Sequence, residues 1–193
     1  MMVIGLCGLA GAGKSTAARH LAEHHGFVRR PFAALLKGML RYLLHAQGGP
    51  AGEVDRMVDG DLKEVPTRHL GGQTPRRAAQ TLGTEWGRAL APDLWVEIWA
   101  ASIAGLERVV ADDVRFNNEV AAVRALGGTV VEVCRPGIAR PAGAHASEMG
   151  VRADAVLCND GDPLALAVRL DAILRRPTRT DPTPLNAGRK VLL

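Results

Sequence analysis

The sequence has few aromatic residues and no long uninterrupted apolar run. Aromatics make up 4% of the 193 residues, and no basic run is interleaved with them, which argues against a stacking surface for single-stranded nucleic acid. No apolar run approaches the roughly 20 residues that a membrane-spanning helix requires. The opening segment MMVIGLC lacks the basic start and the cleavage pattern of a signal peptide. We therefore expect a cytoplasmic protein with no membrane partner and no stable nucleic-acid partner.

Residues that commonly bind transition metals are also sparse. The three cysteines, Cys7, Cys134 and Cys158, lie in apolar strand-like segments without metal-ligand spacing. Their odd number predicts free buried thiols in a reducing compartment rather than disulfides. His20 and His24 lie one turn apart on a predicted helix, but no glutamate occupies the zinc-protease position, so we interpret them as a solvated face.

The remaining composition is that of an ordinary globular protein. Hydrophobic residues make up 47% and charged residues 23%, and the net charge of +4 is compatible with an anionic ligand, nucleic acid or an arginine-rich surface. Strand-like and helix-like segments alternate, which predicts an α/β fold with a mainly parallel sheet flanked by helices. We predict one domain over residues 1–176, with an insertion at about 46–75, and a flexible tail at 177–193.

One glycine-rich segment carries a specific chemical signal. GLAGAGKS has the G-x-x-x-x-G-K-[ST] spacing of a phosphate loop, and it lies between an apolar strand and an amphipathic helix. Glycines let backbone N–H groups turn toward phosphate oxygens, and the helix adds its positive end. The lysine reaches the β- and γ-phosphates, while the serine hydroxyl ligates Mg²⁺. The predicted site for a nucleoside triphosphate comprises Gly8, Gly11, Ala12, Gly13, Lys14, Ser15 and Thr16, with Ser15 as the metal ligand.

The phosphate loop is shared by many proteins, and other features narrow the choice. The N-K-x-D motif of GTPases is absent, as is the Asp-Glu pair after four apolar residues that motor and AAA-type ATPases require. Arginines spread beyond the loop could neutralise the charge of two phosphorylated partners during transfer. These arginines are Arg76, Arg77, Arg88, Arg115, Arg135, Arg140 and Arg152.

The segment VVADDVRFNNE, residues 109–119, places charges at the end of a predicted buried strand. Strand alternation puts Asp113 and Arg115 on one side and Asp112 on the other. A helix beginning near Arg115 would bring Glu119 one turn on, where it can hold the guanidinium group. Since ligands of parallel sheets bind at the carboxyl ends of the strands, we predict that Asp113, Arg115 and Glu119 face the acceptor. Asp112, Asn117 and Asn118 are the candidates for a solvated turn.

Several segments together resemble a known family. TPRRAAQTLGTEWGR, DLWV, DDVRFNNE, RALGGTVVEVCRPG, the histidine and S-E pair at 145–148, and NDG occur in the order found in phage-type deoxynucleoside monophosphate kinases. The resemblance runs from the phosphate loop to about residue 175 and is poor over 46–73. It implies the nucleotide-kinase fold of P-loop proteins. It also implies phosphoryl transfer from ATP to a deoxynucleoside monophosphate, giving ADP and the diphosphate, with Mg²⁺. Base preference and a possible homodimer stay open.

The resemblance also implies roles for residues on the acceptor side. Lys37 and Arg76 would hold the acceptor phosphate, with Arg77 as an alternative to Arg76. The turn in QTLGTEWGR would bind the acceptor, although a helix with a tolerated glycine is the other interpretation. The remaining acceptor residues would be Gln80, Gly83, Thr84 and Trp95, the last stacking on the base or sugar unless it lies in the core.

On the donor side, the resemblance implies a lid at about 135–152 that closes over ATP. Arg135 would contact the phosphates or adenine, His145 would organise the lid, and Asn159 would lie beside adenine. Lys14, Arg76, Asp113 and Arg115 would form the catalytic set.

Two other interpretations stay open from the sequence. One is another small-molecule P-loop kinase, such as a phosphomevalonate or dephospho-coenzyme A kinase, although FVRRPF lacks the paired aspartates of the latter. The other is a non-catalytic P-loop nucleotide sensor or nucleic-acid accessory protein, which the net positive charge permits but the dispersed arginines do not favour.

Overall fold

A five-stranded parallel sheet organises the protein. The computed structural model describes residues 1–139 and 150–175. The strands are β1 (Met2–Cys7), β2 (Val28–Arg29), β3 (Arg108–Ala111), β4 (Thr129–Cys134) and β5 (Ala155–Cys158). They lie in the order β2-β3-β1-β4-β5, and every neighbouring pair is parallel. The α/β fold with a parallel sheet is therefore confirmed.

Helices lie between β1 and β2, between β2 and β3 and between β3 and β4, and their ends carry recognisable capping signals. Gly26 caps the end of the first helix with a φ of 67°. Thr74, directly before Pro75, caps the start of a later helix, since its side chain accepts a hydrogen bond from the backbone N–H of Arg77. A 3₁₀ turn at Arg68–Leu70 and a π-helix at Thr81–Arg88 add irregular helical structure. The α-helices are α1 (Lys14–His25), α2 (Ala34–Ala46), α3 (Ala51–Val58), α4 (Pro75–Gln80), α5 (Leu94–Ser102), α6 (Asn117–Ala125) and α7 (Pro163–Leu174).

Residue contacts divide the described chain into two compact units. The first, the sheet unit, comprises Met1–Phe32 and the described residues from Trp99 onward. The second, the helical unit, is Ala33–Ile98, and it contains the predicted insertion at 46–75. A single domain over 1–176 stays a prediction. The tail at 177–193 and the lid residues 140–149 lie outside the described residues.

The core of the sheet unit forms where apolar strand residues meet two helices. Ile4 and Leu6 of β1 and Val131 and Val133 of β4 are almost fully buried. Because buried strands of a parallel sheet read as continuous apolar runs, these segments were recognisable in the sequence. The helical side chains of this cluster come from α1 and α7, namely Ala17, Ala18, Leu21, Leu166, Leu170 and Ile173.

The helical unit has its own apolar cluster. Leu40 and Leu44 of α2 pack with Val54, Met57 and Val58 of α3. The predicted insertion is therefore partly helical, since α3 lies within it and supplies part of this core. The buried residues of α2, Leu36, Leu40 and Leu44, recur at the four-residue spacing of one helical face.

Two further expectations concern exposure. Among the described residues, no helix is both long and apolar enough to cross a membrane.

All three cysteines are free: Cys7 is buried, which raises the pKa of its thiol to about 11, but Cys158 is exposed. The prediction of buried thiols is therefore wrong for Cys158, because alternation on the edge strand β5 points alternate side chains away from the core.

Candidate active site

The phosphate loop occupies the turn between β1 and α1, and neighbouring atoms leave no room for side chains at two of its glycines. A Cβ atom on Gly8 would lie 2.2 Å from the carbonyl oxygen of Val133, and one on Gly13 would lie 2.3 Å from Nδ2 of Asn159. Both glycines also have positive φ angles, 122° and 106°. The helix α1 begins at Lys14, so its first N–H groups lie at this loop without acceptors inside the helix.

Asn159 holds the loop from the end of β5. Its side-chain Nδ2 donates to the carbonyl oxygen of Ala12 at 2.8 Å, and its backbone N–H donates to Cys134 at 2.7 Å. The side-chain oxygen accepts the N–H of Gly161, and the residue is 8% exposed. Asn159 was predicted to lie beside adenine. Its amide group is engaged with the phosphate loop, a contact that no spacing in the sequence reveals, and the position beside adenine stays a prediction.

The electrostatics of the loop favour an anion. The Nζ atom of Lys14 donates to the carbonyl oxygens of Gly8 and Leu9, each at 2.7 Å. Burial and the nearby guanidinium of Arg115 lower the pKa of Lys14, and Asp112 opposes that shift. Two cations therefore lie close together in a partly desolvated place, where bound phosphate would stabilise both charges.

Asp112 lies beside the phosphate loop, which corrects its assignment to a solvated turn. It is 5% exposed, and its Oδ2 accepts the Ser15 hydroxyl at 3.3 Å. Both carboxylate oxygens also accept hydrogen bonds from Arg29, at 2.9 and 2.6 Å. A serine hydroxyl and a carboxylate are oxygen donors of the kind that Mg²⁺ prefers. The residues present therefore fit this ion.

Asp113 makes a structural contact, and its predicted role toward the acceptor stays a prediction. Its Oδ1 accepts the backbone N–H of Phe32 at 2.8 Å, so the carboxylate supports the segment that follows β2. The alternation argument was wrong because β3 ends at Ala111, and Asp112 and Asp113 form a turn rather than continuing the strand. The two-residue period of a strand does not apply past that point.

Glu119 stabilises the start of α6. Its Oε2 accepts the backbone N–H groups of Arg115 and Phe116, at 2.7 and 3.1 Å, and the residue is 4% exposed. The predicted contact with the Arg115 guanidinium is corrected to a contact with the Arg115 backbone, because α6 begins at Asn117 and not near Arg115. Glu119 thereby fixes the position of Arg115 through the main chain.

Part of the predicted lid is described. Arg135 directly follows β4 and is exposed, and Ile138 approaches the phosphate loop, with its Cδ1 3.4 Å from where a Cβ of Gly11 would lie. A nucleotide contact of Arg135 stays a prediction. His145 and residues 140–149 lie outside the described residues.

In the helical unit, the two predicted acceptor cations are each paired with a carboxylate. Lys37 Nζ donates to Asp59 at 2.9 Å, and Asp59 also pairs with Arg41. Burial opposes the shift, but these two cations together lower the pKa of Asp59. Arg76 forms an ion pair with Glu64. An acceptor phosphate that binds Lys37 or Arg76 would replace the carboxylate that neutralises that side chain in the structure.

The QTLGTEWGR segment continues α4 as a π-helix, so it is a helix that contains glycine rather than a turn. Gln80 ends α4, and Gly83 and Thr84 lie half-buried in the π-helix. Such helices are rare and often occur at functional sites. Their contact with an acceptor stays a prediction.

Trp95 supports this π-helix, so its predicted stacking on an acceptor base is wrong. It is 4% exposed, its Nε1 donates to the carbonyl oxygen of Gly83 at 2.8 Å, and its ring fills the space beside Gly87. The commoner core position therefore applies to Trp95 as well as to Trp99, which stacks on Phe32.

Of the three tryptophans, Trp86 is the one that remains accessible, and sequence reasoning did not single it out. It is 45% exposed and borders an open pocket of the helical unit. The sequence does not show that Trp86 is exposed, and a tryptophan inside a helix is usually a core residue. The other residues of this pocket include Arg77, Leu70, Leu82, Gln73 and Thr81.

Replacing Asn159 tests whether it positions the phosphate loop. Asn159→Ala leaves the Ala12 carbonyl without its donor, which we expect to lower the free energy of unfolding by about 1–3 kcal/mol and to weaken ATP binding. Asn159→Asp keeps the shape but cannot donate, and its charge lies beside the loop, so ATP binding should weaken further. Chemical denaturation and calorimetric ATP titration measure the two effects.

The control for this prediction is the neighbouring Asp160→Asn. Asp160 is exposed and pairs with Arg169, so its loss should change ATP affinity little. Equal ATP affinity in the wild type and both Asn159 variants would contradict a positioning role.

Comparison with known proteins agrees with this arrangement. The family model described as deoxynucleotide monophosphate kinase matches residues 64–168, a range that includes Asp112, Arg115 and Glu119. A protein of Acanthamoeba polyphaga mimivirus that carries the provisional name deoxynucleotide monophosphate kinase is 33% identical over 180 residues, covering 83% of this chain and 89% of the viral protein. The chain therefore belongs to the deoxynucleotide monophosphate kinase family.

Proposed function

We propose that the protein transfers the γ-phosphoryl group of ATP to a deoxynucleoside monophosphate, giving ADP and the deoxynucleoside diphosphate. The observation that carries this proposal is the phosphate loop with Ser15 hydrogen-bonded to the buried carboxylate of Asp112. This arrangement is typical of P-loop enzymes that bind a metal-associated triphosphate. Membership of the family supports the deoxynucleotide acceptor.

The chain's own residues account for binding of the donor. Backbone N–H groups of the loop and the start of α1 face the phosphates, and Lys14 neutralises charge there. Arg115, held by Glu119 through its backbone, adds a second cation close to Lys14. Bound beside Ser15 and Asp112, Mg²⁺ would supply charge neutralisation at the phosphate oxygens.

In the transfer itself, an oxygen of the acceptor phosphate forms a bond to the γ-phosphorus while the bond to the oxygen shared with the β-phosphate breaks. Both partners are anionic, so cations are needed more than a strong base. For the acceptor we propose Lys37, Arg76, Gln80, Gly83 and Thr84, with catalytic contributions from Lys14, Arg76 and Arg115.

We further propose that the pocket beside Trp86 takes the acceptor base. Trp86 offers an exposed aromatic face, and Arg77 brings a cation to the same pocket. Stacking on an indole ring suits any base, because every base has a π-face. In this assignment Trp86 takes the stacking role that had been predicted for Trp95.

The reaction is tested by a coupled assay of ADP formation with each of the four deoxynucleoside monophosphates and the matching ribonucleotides. We expect ADP formation to depend on the monophosphate. Lys14→Ala should lower kcat by about 10²–10³-fold, because it removes a cation that stabilises the transferred phosphoryl group.

Arg19→Ala is the control, since Arg19 is an exposed cation on the same helix. ATP hydrolysis that ignores every monophosphate would overturn the kinase proposal. Salt-sensitive DNA binding without such turnover would favour a nucleic-acid accessory protein instead.

Asp112 and Asp113 make a matched pair for the metal. Asp112→Asn should raise the Mg²⁺ concentration at half-maximal rate by about 10–100-fold, because it removes a charged oxygen donor beside Ser15. Asp113→Asn keeps an oxygen that accepts the Phe32 N–H, so its Mg²⁺ dependence should match the wild type. Identical Mg²⁺ titrations of the two variants would rule out this assignment.

Trp86→Ala tests the base pocket. Loss of one stacked base is worth about 1–3 kcal/mol, so KM for the monophosphate should rise by roughly 5- to 150-fold while KM for ATP stays unchanged. Tyr42→Ala is the control, because Tyr42 is another aromatic of the helical unit and is 78% exposed. An equal rise in both KM values, or none, argues against the pocket.

A further inference from the structure

Two histidines and an aspartate converge on the sheet unit, in a place that the proposed reaction does not use. His20 and His25 lie on α1, and Asp171 lies on α7. The two Nε2 atoms approach the same oxygen, Oδ1 of Asp171, at 2.9 and 2.8 Å. All three ligand atoms lie within 4.8 Å of one another.

This convergence is not the product of ordinary helix periodicity. Residues five apart on an α-helix differ by about 140° around its axis, so their side chains normally diverge. His25 is the last residue of α1, where its ring can turn toward α7, and Gly26 follows in a left-handed conformation. His20 and His24 were predicted to form a solvated face, but the structure groups His20 with His25 and stacks the His24 ring on that of His20 at 4.6 Å.

We propose that His20, His25 and Asp171 form a binding site for a divalent transition metal ion, for which Zn²⁺ is the best fit. Two imidazole nitrogens and one carboxylate oxygen are typical ligands of Zn²⁺, whereas Mg²⁺ prefers oxygen alone. Tetrahedral zinc with bonds of about 2.0–2.1 Å needs donor atoms about 3.3 Å apart. The observed separations require only small side-chain movements.

The surroundings suit an ion that enters from solution. The side chains of His20, His25 and Asp171 are 19%, 27% and 30% exposed, so the site is shielded but reachable. A water molecule completes the coordination at the open side. The ion joins α1 to α7, which already contribute Leu21 and Leu170 to the same apolar core. Because Lys14 begins α1 and the site lies in its second half, the ion stabilises the helix that follows the phosphate loop without contacting nucleotide.

The test uses the whole protein, treated with a chelator and dialysed, with ATP and Mg²⁺ absent. Calorimetric titration with ZnCl₂ should give one ion per chain, and Zn²⁺ should raise Tm. His20→Gln, His25→Gln and Asp171→Asn should each weaken binding by more than about 100-fold, the upper end of what loss of a supporting partner costs. His24→Gln is the matched control and should retain both binding and the Tm shift. Lys14→Ala should also retain binding, which separates this site from the phosphate loop.

A measurement on the wild type keeps the proposal testable if a variant does not fold. In ¹⁵N-labelled protein, Zn²⁺ should shift the ring nitrogens of two of the six histidines. Absence of one-to-one binding, shifts in all six rings or in none, wild-type affinity in Asp171→Asn, or equal loss in His24→Gln would overturn the site.

Discussion

Close packing of backbone against the phosphate loop is the constraint on which the rest of the site depends. The loop passes so near the Val133 carbonyl and the Asn159 amide that glycine is required at positions 8 and 13. The strand order β3-β1-β4-β5 explains this crowding, because β4 and β5 lie on one side of β1 and β3 lies on the other. The carboxyl ends of four strands thereby surround one loop, as expected for ligand sites of parallel sheets.

The charges of the site follow from the same arrangement. The turn after β3 brings Asp112 to Ser15, and the segment between that turn and α6 carries Arg115, whose charge acts on Lys14. The carboxylate of Asp112 is buried but compensated by Arg29, as a buried charge must be. Burial and the positive charge of Arg115 lower the pKa of Lys14, and an anionic ligand would stabilise both cations.

Local patterns in the sequence predicted the sheet and the phosphate loop, because both depend on short stretches of neighbouring residues. The Asp112–Asp113 assignment was wrong because it required the strand to continue two residues beyond its end. The contact of Asn159 with the phosphate loop was missed for a different reason. Its contact with Ala12 joins residues 147 positions apart, and no periodicity carries that information. His25 and Asp171 were likewise brought together by helix packing.

The two tryptophans of the helical unit show how burial separates structural from binding roles. The ring of Trp95 packs against Gly87, and its N–H donates a hydrogen bond to the Gly83 carbonyl. Its polar group is therefore satisfied and its ring surface is buried within the fold. Trp86 lies 6.4 Å away, centroid to centroid, yet keeps 45% of its surface exposed. Leaving so large an apolar surface in water costs free energy that folding does not recover. The buried ring therefore stabilises the π-helix, and the exposed one is available to a ligand.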